Sequence, residues 1–205
     1  MDRRQGGPTQ RIAAVSVGGV ERAGEQESLR WREHGERTVY DSPWVRVSKV
    51  DVTAPDGQRF EHHAVRLQTV ASAVVVDGQD RVLLVWRHRF ITSSWGWETP
   101  GGIVDAGESG AQAALRETVE ETGWRPQDLQ LLAAFQPMPG LVDTPHEVYL
   151  SRNAVKVAEP SDAIEAGVVD WIPMSEIAAL MERGEIAGSG SLVGLLCAAR
   201  TLGLG

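Results

Sequence analysis

The sequence predicts an α/β (α+β) fold, a mixed sheet covered by helices and preceded by an N-terminal β-hairpin. Three observations predict it. Runs of β-branched and apolar residues of strand length, punctuated by turn residues, fill residues 38–86 and recur after residue 129. Between them Ser109–Thr122 carries helix signals at both ends. The C-terminal segments Ser175–Arg183 and Leu192–Leu202 have helical spacing. Strands, one helix, strands, then helices is the order of a sheet packed against helices.

Residues 1–30 are rich in Gly, Gln, Glu and Arg with little periodicity, which predicts a flexible tail ahead of one domain over residues 31–205. From Thr38 to Ala54 apolar residues alternate with polar ones, Pro55-Asp56-Gly57 marks a turn, and Arg59–Leu67 runs back, so residues 38–67 form the hairpin. Val70–Val76 and Arg81–Trp86 are continuous apolar runs separated by Asp77-Gly78-Gln79-Asp80, the pattern of strands buried on both faces. Leu129–Phe135, Glu147–Ser151 and Val168–Ile172 are further short strands, and Gly184 stands where the helix over Ser175–Arg183 ends.

A chain of 205 residues with 42% hydrophobic residues can bury one core of ordinary size. Its formal charge of −8 argues against a broad nucleic-acid footprint, which needs clustered Lys and Arg. It suits a small-molecule enzyme that recruits cations. A lone cysteine, Cys197, excludes an internal disulfide and a multi-thiolate zinc site, and points to the reducing cytoplasm. The apolar run over residues 12–20 is short for a signal peptide, and no run is long enough to span a bilayer, so no membrane partner is expected.

Ser109 is a good N-cap, Gln112 completes a capping box, and Gly123 suits the left-handed residue after a helix. Ala111, Ala114, Leu115 and Thr118 form a narrow apolar face at helical spacing. Beside it Glu117, Glu120 and Glu121 recur at i, i+3 and i+4, within roughly 5–6 Å of one another. Three carboxylates so close repel each other unless a hard divalent cation sits among them. An acidic solvated helix face is the competing explanation, and the flanking residues decide between the two.

Gly102, five residues, Glu108, seven residues, then Arg116-Glu117-Thr118-Val119-Glu120-Glu121-Thr122-Gly123-Trp124 reproduce the signature of the Nudix hydrolases. Residues 102–124 resemble that box at its glycines, arginine and four glutamates, with Thr118 and Trp124 at positions usually filled by other apolar residues. The resemblance implies an α/β/α sandwich, Mg²⁺ (or Mn²⁺) as cofactor, a small-molecule nucleotide substrate, and a homodimer formed through the N-terminal strands. It implies metal ligation by Glu117, Glu121, Glu120 and the Gly101 carbonyl, with Arg116 orienting the carboxylates and Glu108 tying loop to helix.

Outside the box, Trp97-Glu98-Thr99-Pro100-Gly101-Gly102 resembles the segment that leads into the box of ADP-ribose pyrophosphatases, which makes Glu98 a candidate substrate-site residue or extra ligand. Pro139-Gly140, followed by Asp143, resembles their substrate-lining segment, although Met138 and Leu141 replace its serine and aromatic residue. Trp86-Arg87-His88-Arg89-Phe90 resembles a segment near their substrate, so Arg87 or Arg89 would pair with a phosphate. By the same likeness the general base is Glu165, with Asp162 and Glu159 as alternatives, on a loop able to move when substrate binds. Trp44 or Trp95 could stack on a base. The implied reaction is hydrolysis of ADP-ribose to AMP and ribose 5-phosphate. NADH, other nucleotide sugars and nucleoside triphosphates are alternative substrates, and a non-catalytic nucleotide sensor is the alternative of another class.

Overall fold

The computed structural model describes residues 27–161 and 167–204. Most of the tail expected at residues 1–30, together with Asp162 and Glu165, lies outside the described residues. The chain divides into two compact units, one running up to Arg37 and including Lys49–His62, the other comprising Thr38–Ser48 and the chain from His63 onward.

Strands β1 (Arg32–Asp41), β2 (Arg46–Thr53) and β3 (Arg59–Arg66) pass through both units. The continuous strand expected over Thr38–Ala54 is two strands. Ser42 breaks it: its hydroxyl accepts hydrogen bonds from the Trp44 and Val45 amides, and Pro43 between them cannot donate to a ladder. Within the first unit, charge pairs Arg37–Glu61 and Arg59–Asp51 join the strands, and Trp31 meets Phe60 edge to face at 5.8 Å.

The second unit holds the core. A four-stranded sheet has the order β7 (Gly101–Ile103), β4 (Val70–Val75), β11 (His146–Ser151), β9 (Gln130–Phe135), with β4 and β11 parallel and the other pairs antiparallel. A three-stranded antiparallel sheet has the order β13 (Val168–Pro173), β5 (Arg81–Arg89), β6 (Ser94–Glu98), and the two meet where Val76 bridges Val82. The short pair β8 (Trp124–Pro126) and β12 (Ala154–Lys156) and the two-residue β10 (Val142–Asp143), parallel to the end of β3, complete the strands.

Both faces of β4 are covered, as its apolar run predicts. Ala71, Ala73 and Val75 pack with Leu83 and Tyr149 against Ala113 and Ala114 of helix α1 (Gly110–Thr122). Val74, Val82, Leu84 and Val148 pack on the opposite side with Ile177 and Leu180 of α2 (Ile177–Glu182) and Leu195 and Ala198 of α3 (Ser189–Leu202). This is an α/β/α sandwich with a mixed sheet. No helix among the described residues is long and apolar enough to cross a membrane.

Two further expectations need correction. β5 continues past Trp86 to Arg89, because β6 pairs with it residue by residue from Val85↔Glu98 to Arg89↔Ser94. The buried face of α1 is rotated from the expected stripe: Ala113, Ala114, Thr118, Glu121 and Thr122 are buried, while Ala111 and Leu115 are half-buried. Thr118 tolerates burial because its hydroxyl donates to the Ala114 carbonyl at 2.6 Å.

Candidate active site

Helix α1 starts and ends where its sequence directs. Ser109 and Gln112 form the reciprocal capping box, and Gly123 closes the helix at φ 73°, its amide bonded to the Val119 carbonyl. The two caps set the helix's limits, and the i, i+3 and i+4 spacing then puts Glu117, Glu120 and Glu121 on one side of it.

Arg116 gathers the box. Its Nη1 donates to Glu117 at 2.7 Å and to Glu120 at 3.1 Å, its Nε and Nη2 reach both oxygens of Glu108 at 3.1 and 3.0 Å, and Nη2 also reaches the Ile103 carbonyl at 3.1 Å. One guanidinium thus ties helix to loop and orients two of the acidic side chains, using a fork that lysine lacks. The hydrogen bonds from Arg116 hold the Glu108 carboxyl below the usual carboxylate range, and those same partners raise the Arg116 guanidinium.

Gly102 makes room for Glu117. A Cβ on Gly102 would stand 2.5 Å from the Glu117 Cδ and Oε1, so any side chain there displaces the carboxylate. Gly101 is confined from the other side, where a Cβ would stand 2.5 Å from the Ala71 carbonyl oxygen and the Ser72 Cβ.

Glu121 differs from its neighbours. Its side chain is 1% exposed, turned into the protein beneath the loop, with Oε1 2.7 Å from Nη1 of Arg87 and Oε2 accepting from the Gly101 amide at 3.1 Å. Arg87 is 3% exposed and also stands 3.8 Å from Glu98. Burial works against the Arg87 charge, but the Glu121 hydrogen bond and Coulomb attraction together outweigh it, leaving the guanidinium raised. Arg89, two residues along the same face of β5, grips Glu98 through Nε at 3.0 Å and Nη2 at 2.6 Å. The opposite face of the β5–β6 hairpin is aromatic: Trp86 packs on Trp95 and Trp97, and His88 on Trp95.

The structure therefore brings together Arg87, Arg89, Glu98, Gly101, Glu108, Arg116, Glu117, Glu120 and Glu121. Glu98, Glu108, Glu117, Glu120 and Glu121 with Arg87, Arg89 and Arg116 carry five negative and three positive charges, a net of −2. The donors are oxygens throughout, the set a hard divalent cation prefers, and the absent Cβ of Gly102 is filled by a carboxylate. The residues fit such an ion in donor type and charge. No three carboxylate, imidazole or thiol groups among the described residues converge as a ready-made cage; Arg116 binds Glu117 and Glu120, and Arg87 binds Glu121.

Pro139 and Gly140 form an exposed turn in which the Leu141 and Val142 amides both reach the Met138 carbonyl, and β10 follows directly. Asp143 binds Arg66 and Gln136. Of the proposed bases Glu159 is described: it is exposed and pairs with Lys156 at 3.6 Å. The Ser161 amide donates to the Glu120 carbonyl at 2.8 Å, which anchors the segment after β12 to the last turn of α1. Sequence reasoning missed the Arg87–Glu121 pair, although Arg87 and Glu121 had each been singled out. It also missed the bond from Tyr149 to Glu147 (2.6 Å), beside the start of α1, where a Cβ on Gly110 would collide with both side chains.

The capped helix α1 thus bears an arginine-organised glutamate cluster set against the glycine loop on the sandwich sheet. A NUDIX domain model matches residues 66–189, and the chain belongs to the Nudix hydrolase family. It is 45% identical over 177 residues to the CMP-5'-(N-acetyl-N-hydroxy-3-aminopropyl)phosphonate hydrolase of Streptomyces rubellomurinus, covering 86% of this chain and 84% of that protein. It is 30% identical over 162 residues to the ADP-ribose pyrophosphatase of Mycobacterium tuberculosis, 78% of each chain. A crystal structure of an ADP compounds hydrolase shares the fold at a TM-score of 0.73 and 20% identity, covering 86% of this chain and 97% of that one. The chain is also similar, at 23% identity over 162 residues, to the ADP-ribose pyrophosphatase of Bacillus subtilis, covering 78% of this chain and 88% of that protein.

Proposed function

We propose that this Nudix hydrolase, with Mg²⁺ or alternatively Mn²⁺, cleaves the anhydride between a nucleoside 5′-monophosphate and a second phosphoryl group. The observation that carries this reading is the Arg116-centred cluster, which holds Glu117 and Glu120 beside the loop while Glu121 is oriented by the Gly101 amide. Bound there by Glu117, Glu120, Glu121 and the Gly101 carbonyl, the ion would neutralise the diphosphate and acidify a water. Arg116 keeps the carboxylates aimed through substrate binding, and Arg87 and Arg89 supply cationic donors for phosphate oxygens. Water attacks one phosphorus, the bridging oxygen leaves with its electron pair on the other, and a base takes the proton. Glu165 is assigned as that base, with Asp162 and Glu159 as alternatives. Glu165→Gln should lower kcat with little change in KM if the assignment holds.

Two substrates follow from different observations. The entry segment at Trp97–Gly102 supports ADP-ribose, cleaved to AMP and ribose 5-phosphate. The 45% identity to the Streptomyces hydrolase, with Met138 and Leu141 in place of the ADP-ribose group's markers, favours a cytidylyl phosphonate cleaved to CMP and the free phosphonate. We place the phosphonate anhydride first. Rates on a CMP-phosphonate, ADP-ribose, NADH, GDP-mannose and nucleoside triphosphates test this. A tenfold preference for ADP-ribose would reverse the order, and cleavage of triphosphates alone would sink both. We further propose a cytoplasmic homodimer, the compartment from the lone Cys197 and the dimer from the family resemblance.

A further inference from the structure

We infer that Arg87 is a built-in counter-ion that competes with the metal for Glu121, so that metal binding re-aims a buried guanidinium from the box carboxylate toward substrate phosphate. This rests on the metal reading of the box and not on the identity of the nucleotide. A carboxylate as deeply buried as Glu121 cannot be left without a counter-charge, because desolvation without compensation is costly. In this structure Arg87 supplies that charge, its Nη1 2.7 Å from Oε1 of Glu121, one of the carboxylates that would hold the ion.

The two bonds to Glu121 are unequal in what they permit. The Gly101 amide is neutral and holds Oε2 whether or not a cation is present. The Arg87 guanidinium is charged, and a dication sharing the same carboxylate repels it in a site that water does not screen. Arg87 is therefore the partner that gives way. Glu98, 3.8 Å from its Nε, keeps the displaced group beside the site.

The other arginines are placed differently. Arg116 is fixed by Glu108 and the Ile103 carbonyl as well as by Glu117 and Glu120, and has no need to move. Arg89 is 44% exposed, so its pair with Glu98 exchanges with solvent readily. Arg87 is 3% exposed and bonds the box glutamate Glu121 at 2.7 Å. The exchange would also set an order: a phosphate meets an Arg87 released from Glu121 only after the metal has taken that carboxylate, and before that it meets an ion pair.

Calorimetric titration of Mg²⁺ and Mn²⁺ into the full-length protein, without nucleotide, tests the competition. Arg87→Gln should bind Mg²⁺ at least fivefold more tightly than wild type, whereas its binding of CMP or AMP at saturating Mg²⁺ should weaken at least fivefold. A residue that merely supported the fold would weaken both. Unchanged or weaker Mg²⁺ binding by a folded Arg87→Gln protein overturns the inference. Should that variant not fold, crystals of the wild-type protein with and without MnCl₂ decide: Mn²⁺ on Glu121 with the Arg87 bond broken supports it. Mn²⁺ bound with the Arg87–Glu121 bond intact, or no bound Mn²⁺ at all, refutes it. Failure of every nucleotide in the substrate panel would leave these metal measurements standing, so the two readings fall separately.

Discussion

Replacing Glu121 with methionine strands the Arg87 guanidinium in a site where it is 3% exposed, with the Glu98 carboxylate 3.8 Å from its Nε. Breaking a buried ion pair by removing one partner costs about 3–5 kcal/mol. The proximity of Glu98 places the expected loss toward the lower end, about 3 kcal/mol, which for a chain of this size lowers Tm by about 6–12 °C. Arg87→Met strands Glu121 instead, with a comparable cost. The double variant, Arg87→Met with Glu121→Met, replaces both charges by apolar side chains of similar length and is expected to cost less than either single change. The coupling is then about 3 kcal/mol or more, measurable as a double-mutant cycle by urea denaturation in the presence of a chelator. Single losses that add to within about 0.5 kcal/mol would show that the two side chains do not depend on each other, and the account of the site as a charge-compensated buried pair would be wrong.

The remaining expectations concern the loop, the hub and the metal. Gly102→Ala drives a methyl group against the Glu117 carboxylate; stability should fall by about 0.5–1.5 kcal/mol, an off-rotamer cost, while kcat/KM falls by about 10²-fold from misplacement. Activity close to wild type would remove Glu117 from the machinery. Glu108 has its carboxyl held below its ordinary value of 4.5 by Arg116, so the stability it contributes is complete above pH 4.5 and is lost as pH falls through the lower folded value. The destabilisation caused by Glu108→Gln should accordingly be largest at neutral pH and shrink below pH 4.5 in denaturation curves. Glu121→Gln should lower kcat by roughly 10²-fold or more, and chelation should abolish turnover, with recovery on adding Mg²⁺. Light scattering on the purified protein should give twice the chain mass if the homodimer is right.

Much of the fold is written in local chemistry. Val70–Val75 and Arg81–Val85 announce strands with two covered faces, and Ser109, Gln112 and Gly123 mark the ends of α1. Gly101–Ile103, Trp124–Pro126 and Ala154–Lys156 are strands too short to show a period; they exist because long-range partners bind them, as Ser72 does Gly101. The carboxylates of the box were legible from spacing along one helix. Their division was not, because it depends on how the helix is rolled against the sheet. That roll buries Glu121 and leaves Glu120 half-exposed, and the partner it gives Glu121 is 34 residues away in sequence.

The ladder between Val85–Arg89 and Ser94–Glu98 gives the site a parity. Odd-numbered Arg87 and Arg89 share a face with Gly96 and Glu98, and Trp86, His88, Trp95 and Trp97 share the other. Because side chains alternate along a strand, deleting a single residue within either strand would trade guanidinia for indoles at the carboxylates, whereas deleting two would restore the original sides at a shifted position. Length variation in this hairpin is thus filtered by whether it is odd or even. Insertions that leave the ladder untouched are confined to the exposed tip at Phe90 and Ile91, where the chain can change without reversing which chemistry faces the carboxylates.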